Sequence, residues 1–366
     1  MSCADVKYLQ RPQRPPAACP ARLRRRLAAF TLLALLACCM ALLCACDSSQ
    51  STTSTAVIAG DVSSMLDIDD PNEKAGVVIA KQKVQELGRA PRIIATSPAV
   101  VDICDRLELD LVGVSQSDLF DTPERYADVA VVGAPMSPDM EIVGSLAPDW
   151  VLSPVSLKSD LEPKYEAVGT DYAFLNLKSV QGFYRSIQEM GEIFDREEQA
   201  QELVDEFTDF YRDYQERNAS KGHPKVLILM GLPGSYVIAT ENSYVGNLVE
   251  LAGGENVYAG SSEEFLTVNT EDMKTKEPDI ILRASHALPD QVKQMFDDEF
   301  QTNDIWKHFD AVKEGRVYDL PYETFGMSAG FDYTEALETL QDMLHGEGTS
   351  RDASESDISD EEQALA

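Results

Sequence analysis

The chain has 366 residues, with 31 Lys and Arg against 63 Asp and Glu and a formal net charge of −32. Such a surface repels phosphate backbones and anionic headgroups, which excludes nucleic acid as a partner and makes an anionic ligand depend on local donors rather than on the overall field. The length suffices for two lobes, each with its own core.

Residues 1–45 read as a targeting segment. Arg22, Arg24, Arg25 and Arg26 precede an apolar run from Leu27 to Leu43, too short and too closely followed by polar chain for a membrane span. The run ends in Leu43-Cys44-Ala45-Cys46, then Asp47 and a Ser/Thr-rich stretch. Leucine three places before a cysteine, with a small residue just before it, resembles the bacterial lipoprotein cleavage box. That makes Cys46 the lipid anchor, because Cys44 would put the bulky Leu43 at the cleavage position. An ordinary secretory signal or an N-terminal membrane anchor is the alternative. The expectation taken forward is export, lipidation and attachment to the extracellular face of the cell membrane. Cys3, Cys19, Cys38, Cys39 and Cys44 leave with the leader and Cys46 carries lipid, so only Cys104 remains. One cysteine makes no intrachain disulfide, and Cys104, inside Val100-Val101-Asp102-Ile103-Cys104, reads as a small buried hydrophobe. The leader holds Lys7, Arg11, Arg14 and the four arginines against Asp5 alone, so the mature chain is more acidic still.

Residues 46–90 are expected to be a lipid-anchored flexible tether with a short helix at 75–87. From there short β-branched runs alternate with amphipathic segments, the mark of α/β architecture. An N-terminal α/β lobe at 91–178 has strands at 92–95, 111–114, 150–152 and 172–175, with a helix opening at Ser97-Pro98. Two helices follow within 179–222, broken at Asp195, the second running between lobes: Phe183, Ile187, Met190, Ile193 and Phe194, then Leu203, Phe207 and Tyr211, keep helical spacing. A C-terminal lobe at 223–345 has strands at 226–230, 236–239, 280–282 and 317–320 and a last helix at 333–344. Residues 346–366 are an acidic, Ser-rich tail expected to be disordered.

The halves echo one another. Pro91-Arg92-Ile93-Ile94 corresponds to Pro224-Lys225-Val226-Leu227, and Glu141 with Pro148-Asp149-Trp150-Val151-Leu152 corresponds to Glu271 with Pro278-Asp279-Ile280-Ile281-Leu282. Two matches at nearly one offset imply two similar lobes with a ligand cleft at the strand carboxyl ends.

Two Rossmann-like lobes joined by one long helix, each with Glu-x6-Pro-Asp ahead of a strand, resemble the helical-backbone class of binding proteins for siderophores, haem and cobalamin. The runs 225–236, 244–257 and 303–309 are more specifically similar to the haem-receptor lipoproteins of the iron-regulated surface determinant system. The likeness covers roughly 92–344. It implies a haem-binding component of an ABC importer that makes and breaks no bond, and is therefore not an enzyme. Its partners would be haem, the permease subunits, the membrane through the lipid, and upstream surface haem donors. The resemblance implies axial iron ligation by Met136, in a Pro-flanked loop, and by His286, four residues past the strand 280–282. A Met/His pair leaves no open coordination site and favours holding over oxygen chemistry. It implies propionate contacts at Ser97, Ala99, Ser117 and Asp118, where Pro98 lacks an N–H and Asp118 adds negative charge. It also implies docking of Glu141 and Glu271 onto permease arginines, although a carboxylate at a helix start is favoured by the dipole alone. The rival ligand, a ferric siderophore or cobalamin on the same fold, would use Arg283, Tyr236 and Tyr322. A rival of another class, a haem-modifying or chelatase-like enzyme, would want an open coordination site or a paired acid and base.

Overall fold

The computed structural model describes residues 62–117 and 120–346; the leader with Cys46, Asp118 and the tail beyond Gly346 lie outside the described residues. Lobe 1 is built on β1 (Ile93–Ala95), β2 (Leu111–Val114), β3 (Ala130–Val131), β6 (Trp150–Pro154) and β7 (Asp171–Leu175), all parallel in the order β3-β2-β1-β6-β7. Between β3 and β6 a small hairpin pairs β4 (Gly133–Ala134) with β5 (Ser137–Pro138). The central strands are covered on both faces, and so read as continuous apolar runs: every residue of β1 and β6 is buried.

Lobe 2 uses β8 (Lys225–Leu232), β9 (Ser235–Ala239), β10 (Glu255–Asn256), β11 (Phe265–Leu266), β12 (Ile280–Ser285) and β13 (Val317–Asp319). Their order is β11-β9-β8-β12-β13, with β10 beside the start of β8. β8, β12 and β13 run parallel, whereas β9 folds back on β8 as an antiparallel hairpin around Gly234 (φ 83°) and β11 runs antiparallel to β9.

The two expected helices are Val180–Phe194 and Glu197–Asn218. Asp195 separates them in the left-handed conformation (φ 60°, ψ 51°), and Gly191 lets them approach, since a β-carbon there would meet Ala200 Cβ at 2.6 Å. The second helix, 22 residues and about 33 Å long at 1.5 Å per residue, starts on lobe 1 and ends on lobe 2. Glu197 pairs with Lys81 (2.6 Å) and Glu206 with Arg106 (2.9 Å); further on, Tyr214 Oη donates to Leu337 O (2.9 Å) and Arg217 pairs with Glu338 (2.6 Å). One apolar cluster, including Ile93, Phe183, Phe207, Ile228 and Leu337, continues from lobe 1 through these helices into lobe 2. A shared core of this kind resists rigid-body separation of the lobes.

The stretch read as tether is folded from Val62 onward. Val62–Leu66 forms a 3₁₀ turn, and Pro71–Glu86 is a helix capped by the Asp70 side chain, which accepts from Asn72 N–H (2.8 Å). Val62, Leu66, Val77 and Ala80 are buried in the shared core. The expected helix at 75–87 starts four residues earlier, and its weak periodicity follows from its burying only two residues and leaving Val78 and Ile79 exposed.

The internal repeat has a local physical basis. Helices Met140–Ser145 and Thr270–Thr275 are capped by the side chains of Asp139 and Asn269, and each stops before a left-handed non-glycine residue, Ala147 (φ 43°) and Glu277 (φ 49°). The aspartate of each Pro-Asp then anchors the first strand of its lobe: Arg92 N–H donates to Asp149 Oδ2 and Lys225 N–H to Asp279 Oδ2, both at 2.7 Å. The motif is thus a strand clamp used twice.

Candidate functional site

In open α/β sheets the ligand crevice lies outside the strand carboxyl ends, and each lobe carries its candidate groups there. β2 ends at Val114, and the following Gln116 N–H donates to Gly133 O (2.8 Å), which seats the β4–β5 hairpin on this edge. Gly133 takes φ 98° to start that hairpin, a conformation a side chain would strain. Met136 lies in its turn and is 69% exposed. At that exposure the side chain is not filling the core.

His286 directly follows β12. Its backbone N–H donates to Gly231 O (2.9 Å), extending the β12–β8 ladder by one residue and fixing the ring at the end of the sheet. The half-buried imidazole has its Nδ1 atom buried without a hydrogen-bond partner. A buried polar atom left unpaired costs stability, and no hydrogen bond from Nδ1 holds the ring in place. Among the described residues, no three His, Cys, Asp or Glu side chains cluster as a bare-metal site.

The other candidates divide. Ser97 caps helix Pro98–Arg106, its hydroxyl accepting from Val100 N–H (3.4 Å). Ala99, in the first turn, keeps the N–H that an α-helix leaves without an internal acceptor. The Ser117 hydroxyl accepts from Phe120 N–H (2.9 Å). β1 pairs with β2, so 97–99 and 115–117 leave neighbouring strand ends. Sequence reasoning missed Ser115 between them: it is 4% exposed and its Oγ has no partner. Its signal was position, as the residue next after a legible strand end. Next to this edge, Thr96 Oγ1, Ser153 Oγ and Tyr165 Oη form a buried hydroxyl chain at 2.6 and 2.8 Å that ties β1 to β6.

Two of the three groups expected for an oxygen-rich or anionic ligand, Arg283 and Tyr236, are engaged elsewhere. Arg283, 9% exposed, gives Nε and Nη2 to both oxygens of Asp319 at 2.6 Å and Nη2 to Asp297 at 2.9 Å, and lies against the Phe296 and Phe300 rings. Tyr236 Oη donates to Glu299 (3.1 Å). Tyr322 is half-buried.

Glu141 and Glu271 sit in the first turns of the two repeat helices, exposed and without an ion-pair partner among the described residues. At the lobe junction Ala329 N–H donates to Leu177 O (2.8 Å) and Lys178 pairs with Glu264 (2.6 Å). Burial pushes Asp102 of lobe 1 and Asp332 of lobe 2 up to about 6, each helped by neighbouring carboxylates. A cavity of about 450 Å³ between helix Pro71–Glu86 and the strand starts at Trp150 and Asp171 lies at the opposite end of the lobe 1 sheet from Met136. Burial also pushes the Cys104 thiol far up, as befits a small core residue with no free-thiol chemistry. No helix among the described residues is long and apolar enough to cross a membrane.

Two α/β lobes on one connecting helix, with candidate groups at the strand ends, define a solute-binding protein, and the chain belongs to the periplasmic binding protein family, whose model matches residues 93–324. It is 43% identical over 256 residues to the high-affinity heme uptake system protein IsdE of Staphylococcus aureus, an alignment covering 69% of this chain and 87% of that one. Among solved structures, S. aureus IsdE complexed with heme superposes with a TM-score of 0.66 at 42% identity, over 70% of this chain and 99% of that one. An ABC transporter substrate-binding protein from Listeria monocytogenes EGD-e gives 0.68 at 47% identity, over 70% and 99%.

Proposed function

We propose that this chain is the lipid-anchored extracellular receptor of an ABC importer, which binds haem between its lobes and delivers it to the permease. The observation that carries the reading is one metal-ligating side chain per lobe beyond the strand carboxyl ends: the exposed Met136 in the β4–β5 turn and the half-buried His286 just after β12. Iron held by Met136 and His286 would be coordinatively closed, suited to carriage rather than to catalysis. The Ala99 N–H at a helix start and the hydroxyls of Ser97 and Ser117 are the donors for the propionates. Asp118 is the acidic neighbour those carboxylates must tolerate. Cys46 is the anchor, and the unpaired Glu141 and Glu271, equivalent in the two lobes, are the contacts for permease arginines. The relatives named above, a heme uptake protein and a transporter substrate-binding protein, support the ligand and the transport role. A siderophore or cobalamin is disfavoured because Arg283 is held by Asp319 and Asp297 and Tyr236 by Glu299.

The test is a titration of the purified full-length protein in detergent with hemin, a ferric catecholate siderophore and cyanocobalamin in turn. The reading expects a saturable Soret band at one hemin per chain and no competition by the other two. Tight binding of either competitor with no hemin complex refutes it.

A further inference from the structure

Five non-glycine residues among the described ones have positive φ: Glu108, Ala147, Asp195, Glu277 and Leu288. The first four stand at the carboxyl ends of helices, where a left-handed residue is a usual stop. Leu288 stands at a helix start instead, with φ 51° and ψ 61° at the N-cap of Pro289–Thr302, and its side chain caps nothing. Glycine would adopt this conformation without strain, and Ser, Asp or Asn would add a capping hydrogen bond. Nor does the leucine serve the core, for it is 55% exposed. The backbone on either side is locked: His286 N–H is bonded to Gly231 O, and Leu288 O accepts from Gln291 N–H (3.0 Å) and Val292 N–H (3.1 Å). A strained, solvent-facing apolar residue in a rigid frame is a functional signature.

Its location says for what. Leu288 is two residues beyond His286, at the carboxyl end of the lobe 2 sheet. The exposed large apolar side chains Phe120, Val131 and Met136 lie at the carboxyl ends of β2 and β3 in lobe 1. The geometry points to Leu288 as a positioning residue for the carried ligand: its side chain packs on an apolar face of the macrocycle beside the His286 bond and excludes water from that bond. This rests on the haem reading and adds a residue and a role to it. Retention of the ligand then depends on Leu288, whereas the coordination itself does not.

The test uses full-length protein loaded with hemin in detergent, and the rate of hemin transfer to excess apomyoglobin. Leu288→Gly relieves the strain and removes the side chain, so it unfolds no earlier than wild type, keeps the wild-type axial-ligand spectrum, and releases hemin about five-fold faster, equivalent to about 1 kcal/mol. Leu288→Asn, which tolerates the same backbone, behaves likewise, and Leu288→Met restores release to within about two-fold of wild type. A wild-type hemin complex with unchanged release in both Leu288→Gly and Leu288→Asn overturns the inference and leaves the haem reading standing. No hemin complex in wild type overturns both.

Discussion

Arg283 separates a structural reading of β12 from a ligand-binding one. The guanidinium is almost fully buried, makes three charge-assisted bonds at 2.6, 2.6 and 2.9 Å, and lies 5.6 and 5.2 Å from the Phe296 and Phe300 ring centres. Removing one partner of a buried ion pair costs about 3–5 kcal/mol, because the other charge is left uncompensated. In Asp319→Ala the guanidinium keeps only Asp297, and the 26% exposure of Asp319 admits some water, so about 2–4 kcal/mol is expected. Arg283→Met removes the buried cation together with its desolvation, leaves two carboxylates that reach solvent, and fills the same space against the phenylalanines, at about 1–2 kcal/mol. At about 2 °C per kcal/mol for a folded body of this size, the melting temperature falls by about 4–8 °C in the first variant and about 2–4 °C in the second. Thermal circular dichroism of both proteins, with hemin titration well below the transition, reads both effects. Hemin affinity in Arg283→Met should stay within about two-fold of wild type. An Arg283→Met penalty equal to that of Asp319→Ala, or loss of hemin binding in a folded Arg283→Met protein, refutes the assignment.

Glu189 is pushed up to about 8 by burial and by the charge and hydrogen bond of Glu73. The folded chain therefore holds a proton the unfolded chain has lost above about 4.5, so this contribution to stability is complete below that pH and is lost as pH rises through 8. Glu189→Gln should flatten the fall in urea midpoint between pH 5 and 9; an unchanged slope contradicts the assignment. Gly246→Ala would put a β-carbon 1.8 Å from Thr240 O beneath the start of helix Tyr244–Leu251. That is expected to cost roughly 3 kcal/mol or more in urea unfolding; a loss below 1 kcal/mol would mean the contact relaxes. Glu141→Arg combined with Glu271→Arg should leave hemin affinity unchanged and cut hemin uptake by cells at least about ten-fold, whereas unchanged uptake removes these residues from docking.

What could be read in advance depended on how local the cause was. The strands 93–95, 111–114 and 280–282 announce themselves because parallel strands buried on both faces need continuous apolar residues. Asp195 announced a helix break because the spacing of Phe183–Phe194 and Leu203–Tyr211 cannot be joined in one register. Helix Pro71–Glu86 was only partly legible, since it buries two residues and is held by the pairs of Lys81 with Glu197 and Lys83 with Asp171, 116 and 88 positions away respectively. Arg283 shows the same limit from the other side: its partners Asp319 and Asp297 are neighbours only through the β12–β13 pairing and the returning helix. Met136 and His286 were placed by resemblance, and the added physical content is that neither is consumed by the fold. Leu288 carried no signal in sequence, because its oddity is a backbone angle.

The central claim is tested most directly by the visible and low-temperature electron paramagnetic resonance spectra of hemin-loaded wild type, Met136→Ala and His286→Ala. The account expects a low-spin six-coordinate complex in wild type, changed to a different coordination state in each single variant while the protein stays folded. A wild-type spectrum that is high-spin and five-coordinate, or one indifferent to both substitutions, contradicts it.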